Sequence, residues 1–371
     1  MIRTISIRGF RSINSVQVEL EPVTVLVGRS GSGKSNFVRA IRFLRDYLIT
    51  GDRDSSAGGS FQKLAPANQG EPQLTYKVAF DIEGLEGTFQ YSLCLPYQAG
   101  KVEESLKLGE KVLFSHVAGK WVTEPNVQSP PPPTCPMLGK IPAISETVIA
   151  FSALTNGVGC YEFPFGVLGQ SATSKGDGLA DDARNYLFVM KGITSNIRNL
   201  KLRKSINGSL MALNPTVSAV ELNSIQSPTS ILVTHQFNGS RLSLSLSEES
   251  EGFRRFFAHL LAIYQDSSKQ LLVFEEPENG IYPGALQLLA DELKAAPYAN
   301  RGQVLLTTHS PGLLNHFDIE SLRVVTLKNG GTQIGKVASE QVQAVKDDLM
   351  RTGELLTVDE ARIADEEVVA P

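Results

Sequence analysis

Cysteine is scarce in this chain: Cys94, Cys135 and Cys160 are odd in number, far apart and in no C-x-x-C pair. That speaks against a disulfide framework and a zinc site, and fits a reducing compartment. No stretch approaches the ~18 apolar residues of a membrane span. Met1 to Ser6 alternates polar and apolar where a secretory leader would place a basic region and an apolar core. A soluble, cytoplasmic protein with no membrane partner is expected. Neither a heptad run nor an internal repeat is present, which excludes a long coiled-coil arm. An excess of one charge is missing as well. The 35 basic and 39 acidic residues leave a net charge of −4, which argues against a surface coated for nucleic acid but leaves a local basic patch open.

What is present is length, apolar content and one decisive loop. The 371 residues suffice for one large or two ordinary domains with a packed core. The run Val23-Thr24-Val25-Leu26-Val27 feeds Gly28-Arg29-Ser30-Gly31-Ser32-Gly33-Lys34-Ser35, which fits G-x-x-x-x-G-K-[ST]. Asn36 follows, and Phe37, Ile41, Leu44 and Leu48 recur at helical spacing. A strand, a loop and a helix in that order form a phosphate cradle. Glycines let successive backbone N–H groups turn inward around phosphate oxygens at the positive end of a new helix. Lys34 reaches the β- and γ-phosphates, and the Ser35 hydroxyl suits a Mg²⁺ ligand.

Along the chain, Ile2–Ile7 and Ser15–Leu20 read as strands. Thr50–Gly70 is rich in small and polar residues and reads as a surface loop. Alternation from Leu74 to Leu95, broken by Glu83-Gly84-Leu85-Glu86-Gly87, predicts two antiparallel strands, with shorter ones near Val112–Phe114 and Trp121-Val122. The proline run 130–133 predicts a polyproline II spacer. Gly169–Asp182 has the composition of a mobile segment. Ala183–Lys204 predicts a helical stretch carrying Arg184, Lys191, Arg198, Lys201, Arg203 and Lys204. Asn238-Gly239 predicts the turn of a hairpin over Ile231–Leu246, and Asp359–Pro371 a frayed acidic end.

Two further stretches carry chemistry. Gln270–Glu276 is a buried-strand pattern ending in two adjacent carboxylates, which alternation would send to different sides. One can hold magnesium while the other faces an attacking water. Val304–Thr307 is a second such strand, followed by Thr308 and His309.

On these residues the chain resembles the ABC-type ATPases of the RecF, SMC and OLD-like branch, and most closely the compact stand-alone forms classed as AAA_21 or AAA_15. The resemblance rests on Ile7-Arg8-Gly9-Phe10-Arg11-Ser12, on the Walker A loop ending Gly33-Lys34-Ser35-Asn36, on Phe274-Glu275-Glu276-Pro277-Glu278-Asn279 as Walker B with D-loop, and on His309 as switch histidine. Ser247–Arg255 looks like a divergent signature opening an amphipathic helix with Phe253, Phe256, Phe257, Leu260, Leu261 and Tyr264 on one face. Residues 50–245 carry little of the match. The stretch after His309 is too short for the TOPRIM half of OLD-like proteins.

The resemblance implies an α/β P-loop NTPase head with a mixed central sheet, an antiparallel β lobe, a helical lobe and no coiled-coil arm. It divides the chain into an ATP-binding lobe (1–50 and 74–125), a helical insert (126–230), a lobe carrying signature, Walker B and switch histidine (231–330), and a tail (331–371). It implies ATP and Mg²⁺ as cofactors. Arg11, Gly28, Arg29, Ser30, Gly31, Ser32, Gly33, Lys34, Ser35 and Asn36 would hold the nucleotide, Ser250 and Gly252 of a second copy would touch its γ-phosphate, and Ser35 and Glu275 would ligate the metal. Glu276, His309 and Lys34 would carry catalysis. Ser30 stands where this branch often has Asn, Glu275 replaces the usual Asp, three acids crowd the signature, and no Q-loop can be placed, so slow or conditional hydrolysis is expected.

The function implied is an ATPase whose ATP-dependent homodimerisation, or higher oligomerisation, regulates a separately encoded nuclease or toxin effector in phage defence. A RecF-like DNA-binding ATPase is the alternative, motivated by the basic stretch 184–204. A transporter nucleotide subunit ranks third, because over two hundred residues separate Walker A from the signature.

Overall fold

In the computed structural model, the residues described are 1–371 except 67–71, 99, 124–134, 142–144, 170–177, 197–198, 224–228, 268 and 365–371. The proline run at 130–133, most of the segment expected to be mobile (170–177) and Arg198 lie outside the described residues.

The chain runs through β1 (Ile2–Phe10), β2 (Ile13–Glu19), β3 (Val23–Val27), α1 (Lys34–Thr50), the single turn α2 (Arg53–Ser56), β4 (Gln73–Phe80), β5 (Phe89–Pro96), β6 (Glu103–Leu108), β7 (Lys111–Val117), β8 (Lys120–Thr123), α3 (Ser145–Leu154) and β9 (Val158–Tyr161). It continues with α4 (Tyr186–Ser195), α5 (Leu200–Leu213), β10 (Val217–Asn223), β11 (Ser230–Phe237), β12 (Ser240–Ser245), α6 (Glu251–Tyr264), β13 (Leu271–Glu275) and α7 (Leu286–Tyr298). The last elements are β14 (Gln303–Thr307), α8 (Pro311–Leu314), β15 (Leu322–Lys328), β16 (Gly331–Lys336) and α9 (Ser339–Lys346). Two compact units result, Met1–Val158 with Asp318–Pro371, and Gly159–Phe317.

In the first unit, period-two alternation builds a seven-stranded antiparallel sheet in the order β2-β1-β4-β5-β6-β7-β8. Ile5, Ile7, Val16, Val18, Tyr76 and Val78 are buried from it. The continuous apolar run of β3 is buried at every residue, pairs parallel to β15, and β15 pairs antiparallel to β16. Helix α1 buries Phe37, Ile41, Leu44 and Leu48 as its spacing predicts, and the Tyr76 hydroxyl donates to the Ala40 carbonyl at 2.9 Å.

The second unit holds parallel β13 and β14, with β9 next to β13, and a separate three-stranded sheet β10-β11-β12. Asn238 and Gly239 turn the β11–β12 hairpin with φ of 46° and 86°, as their sequence predicts. Helix α6 buries Phe253, Phe256, Phe257, Leu260, Leu261 and Tyr264.

Three sequence expectations are corrected, and one strand appears that the sequence did not announce. The stretch Ala183–Lys204 is not one helix: α4 ends at Ser195 and Asn196 is extended. Thr194 and Ser195 turn their hydroxyls back onto the carbonyls of Met190 and Gly192, and such polar competition marks helix ends. Within Thr50–Gly70, Phe61 and Leu64 are buried, because Phe61 stacks on Phe43 and Tyr97 at 5.6 and 4.8 Å. Strand β6 was not anticipated in the polar run Glu103–Leu108. The end is not frayed from Asp359, since Ile363 bridges Val337, Ala338 donates to the Arg362 carbonyl and Gln341 to the Asp359 carboxylate. Among the described residues, no helix is long and apolar enough to cross a membrane.

Candidate functional site

The candidate residues fall into two sets, one in each unit. Arg11 and Gly28–Asn36 belong to the first; Ser250, Gly252, Glu275, Glu276 and His309 belong to the second.

The loop of the first set bridges β3 and α1. A Cβ at Gly28 would meet the Val325 carbonyl oxygen at 2.1 Å, and one at Gly33 would meet Thr332 Oγ1 at 2.0 Å. Gly33 also holds φ of 110° and is the N-cap of α1 without a side-chain cap, which leaves the first amides of the helix for an anion. The Lys34 ammonium lies within the loop and donates to the carbonyls of Gly28 and Arg29 at 2.7 and 3.0 Å. Ser32 Oγ is buried and meets no hydrogen-bond partner among the described residues. An orphaned hydroxyl, a lysine and bare amides around glycines that tolerate no side chain suit a polyphosphate.

Arg11 sits in the left-handed region with φ of 51°, its amide bonded to the Leu64 carbonyl. Burial, and then the like charge of Arg39, lower its guanidinium pKa. Neither arginine meets a carboxylate among the described residues, so both are suited to an anion. Arg29 instead turns to Glu360 at 2.6 Å. Asn36 Nδ2 donates to Ser12 Oγ at 2.7 Å, and Ser12 Oγ lies 2.7 Å from Thr332 Oγ1. Thr332 Oγ1 in turn donates to the Ser32 carbonyl at 3.0 Å. This brace was missed in the sequence, because nothing local in Gly330-Gly331-Thr332 signals a neighbour three hundred residues away.

In the second set, β13 ends at Glu275 and the chain turns at once. Glu276 adopts φ of 47° and its amide donates to the Thr307 carbonyl and Oγ1, both at 3.1 Å. Glu276 thus lies outside the strand on left-handed backbone, so the expected strand alternation is not what sets its direction relative to Glu275. Glu276 Oε1 lies 3.4 Å from His309 Nε2, and Glu276 Oε2 accepts from Asn279 Nδ2 at 2.8 Å. The Asn279 carbonyl accepts from Arg255 Nη1 at 3.1 Å.

Helix α6 begins at the divergent signature. Ser250 is its N-cap and accepts from the Phe253 amide at 3.3 Å, and a Cβ at Gly252 would approach the Gly280 carbonyl oxygen to 3.0 Å. The three acids crowding this end are each engaged. Glu248 reaches back to the Ser245 amide at 2.7 Å, Glu249 Oε1 meets His235 Nε2 at 2.7 Å, and Glu251 holds Arg254 and Arg255 at 2.8 and 2.9 Å. The Gly166 amide also donates to Glu251, at 3.0 Å. A cavity of about 350 Å³ opens beside Ser250 and Gly252, lined also by Asn214, Phe253, Tyr282 and Leu288.

Among the described residues, no group of three or more His, Cys, Asp or Glu side chains could hold a metal ion by itself. The Ser35 hydroxyl of the first unit and the Glu275 carboxylate of the second are each oxygen donors of the kind magnesium takes beside phosphates and waters.

Residues 1–72 match the model described as "AAA ATPase domain", and residues 143–315 the one described as "AAA domain, putative AbiEii toxin, Type IV TA system". Together with the fold, these matches support an ABC-type ATPase head of the RecF, SMC and OLD-like branch. This head is 22% identical over 379 residues to the Old nuclease of Escherichia phage P2, an alignment covering 92% of the chain and 62% of that relative. The chain thus spans about three-fifths of the relative's length. Among solved structures, an SMC head bound to the C-winged helix domain of ScpA aligns with TM-score 0.61 and 14% identity, over 92% of this chain and 99% of that one. The SMC head domain from Thermotoga maritima aligns with TM-score 0.54 and 16% identity, over 91% and 98%.

Proposed function

We propose that this head binds ATP on Gly28–Asn36 and hydrolyses it in a pair of copies, the Ser250–Gly252 end of one closing over the triphosphate held by the other. The observation that carries the reading is Glu276, set on left-handed backbone with its carboxylate bracketed by His309 and Asn279. A carboxylate so held is placed to accept a proton from water as that water attacks the γ-phosphorus and the bond to the β-bridging oxygen breaks. His309 meets the γ-phosphate edge, and Lys34 leaves the loop carbonyls for the β- and γ-oxygens. The Ser35 hydroxyl and the Glu275 carboxylate would hold magnesium, which would supply charge neutralisation on those oxygens. Because Glu248, Glu249 and Glu251 are tied to other partners, the α6 amides are left to favour an anion. Glu275 in place of the usual Asp supports slow or conditional turnover.

The biological role we infer is nucleotide-controlled regulation of a separately encoded nuclease or toxin effector in phage defence. The likeness to the Old nuclease and to a model whose description names the AbiEii toxin supports it. The test of the enzymatic reading is Glu276→Gln, sized by light scattering with and without ATP. A closed dimer that accumulates only with ATP is expected, and a variant that keeps its apo size in saturating ATP removes Glu276 from catalysis. Phosphate release, measured alone, with DNA and with any co-purifying protein, separates an enzyme from a nucleotide-binding scaffold.

A second reading, RecF-like duplex binding, draws on Lys191, Lys201 and Lys204. These are exposed on α4 and α5 and meet no acidic partner among the described residues.

A further inference from the structure

The ladder between β13 and β14 ends at the pair Glu275 and Thr307. Beyond it, each strand opens into a turn, Glu276–Asn279 on one side and Thr308–Ser310 on the other, and no strand pairing holds the two turns in register. One side chain does. Glu278 Oε1 accepts from Thr308 Oγ1 at 2.6 Å, from the His309 amide at 2.9 Å and from the Ser310 amide at 3.1 Å. Among the described residues this is the bond that fixes the His309 backbone.

The choice of a carboxylate is informative. Its second oxygen, Oε2, is shut off from solvent and meets no donor among the described residues, and no cation pairs with it. Holding a carboxylate there costs desolvation that an ion pair does not offset. The compensation is a three-pronged grip on the turn, since carboxylate bonds to backbone N–H groups are about twice as strong as neutral ones. The turn so gripped carries His309, whose Nε2 lies 3.4 Å from Glu276 Oε1.

We propose that Glu278 is a positioning residue that clasps the Thr308–Ser310 turn and so sets the spacing of His309 from Glu276. The proposal rests on the reading that Glu276 and His309 act at the γ-phosphate. Glu278 touches no reacting atom itself. It acts through the His309 amide, so its loss slows turnover without weakening nucleotide capture.

The test uses the full chain with Glu278→Ala and Glu278→Gln. Glutamine keeps an acceptor oxygen and retains turnover within about threefold. Alanine removes the clasp, and kcat falls about tenfold to hundredfold while the Kd for ATP changes less than about twofold, the cost of a small misplacement of catalytic groups. Glu278→Met, which keeps bulk without a strong acceptor, replaces alanine if that variant does not fold. A second arm is independent of activity. The His309 ring resonances, assigned by His309→Ala in histidine-labelled protein, should move on Glu276→Gln in the wild-type and Glu278→Gln backgrounds and stay still in the Glu278→Ala or Glu278→Met background. An equal response in all backgrounds, or equal turnover in the alanine and glutamine variants, overturns the proposal. Turnover unaffected by Glu276→Gln sinks the hydrolysis reading instead, and the resonance arm still decides whether Glu278 sets the spacing.

Discussion

Thr332 fills the space that a side chain at residue 33 would need: a Cβ on Gly33 would lie 2.0 Å from its Oγ1. The phosphate loop is therefore shaped from β16 as much as from its own glycines. Gly33→Ala is expected to abolish ATP binding by titration calorimetry, because both the contact and the φ of 110° forbid the methyl. Thr332→Val, which keeps the shape but frees the Ser32 carbonyl and Ser12, is expected to cost about 1–3 kcal/mol in urea unfolding. An unchanged midpoint would mean that the brace contributes nothing.

Lys34→Ala is expected to eliminate measurable ATP affinity. In the wild type the ammonium bonds the carbonyls of Gly28 and Arg29, and these are the contacts a triphosphate must replace. Retained affinity would place the nucleotide elsewhere.

The Glu251 carboxylate takes two guanidinium groups and the Gly166 amide, in a setting where Arg254 and Arg255 are 14% and 12% exposed. Glu251→Ala leaves both cations short of a partner and is expected to lower stability by on the order of 2 kcal/mol. Glu251→Gln should lose less, and thermal melts of the two variants rank them.

Stability should depend on pH through two buried groups of opposite sign. Burial pushes the Glu104 carboxyl up from 4.5 to about 7, against the amides of Met137 and Leu138 and the Tyr91 hydroxyl that favour its charged form. The folded chain then binds the proton more tightly than the unfolded one, so this contribution falls as pH rises from about 4.5 to 7. Burial lowers His259 from 6.5 to about 4, and its contribution is present above 6.5 and is lost as pH falls toward 4. Glu104→Gln should flatten the decline on the rising side, by on the order of 2 kcal/mol across the window. The slope of unfolding free energy against pH is the readout, because a new amide facing the Met137 N–H shifts all values together.

Duplex DNA binding, if Lys201 and its neighbours carry it, should weaken steeply with salt and vanish in Lys201→Glu combined with Arg203→Glu, while ATP affinity stays unchanged. Filter binding across a salt series measures both, and salt-independent retention of DNA by the double variant rules out this face.

The local elements were legible where the chain states its own period. The alternation of Tyr76, Val78 and Phe80, the helical spacing of Phe37, Ile41 and Leu44, and Asn238-Gly239 needed no partner to be read. Elements that depend on distant partners were not legible. Strand β6 carries a buried glutamate in a polar run, and the amides of Met137 and Leu138 with the Tyr91 hydroxyl make that burial tolerable. Phe61 and Leu64 look like loop residues until Phe43 and Tyr97 cover the first of them. The break after Ser195 turns on side chains that compete with the helix for its own carbonyls.

By itself the sequence determined which residue types stand at which spacings: the glycines and Lys34 of the loop, the paired acids closing an apolar strand, and a histidine closing the next. Tertiary structure alone decided what holds them. Whether Glu276 faces His309, whether the signature acids crowd a phosphate or bond elsewhere, and what lies beneath Gly33 all depend on side chains that folding brings in from other strands and turns. Hydrogen bonds of that kind leave no periodicity in the chain, because their partners are set by packing and not by spacing.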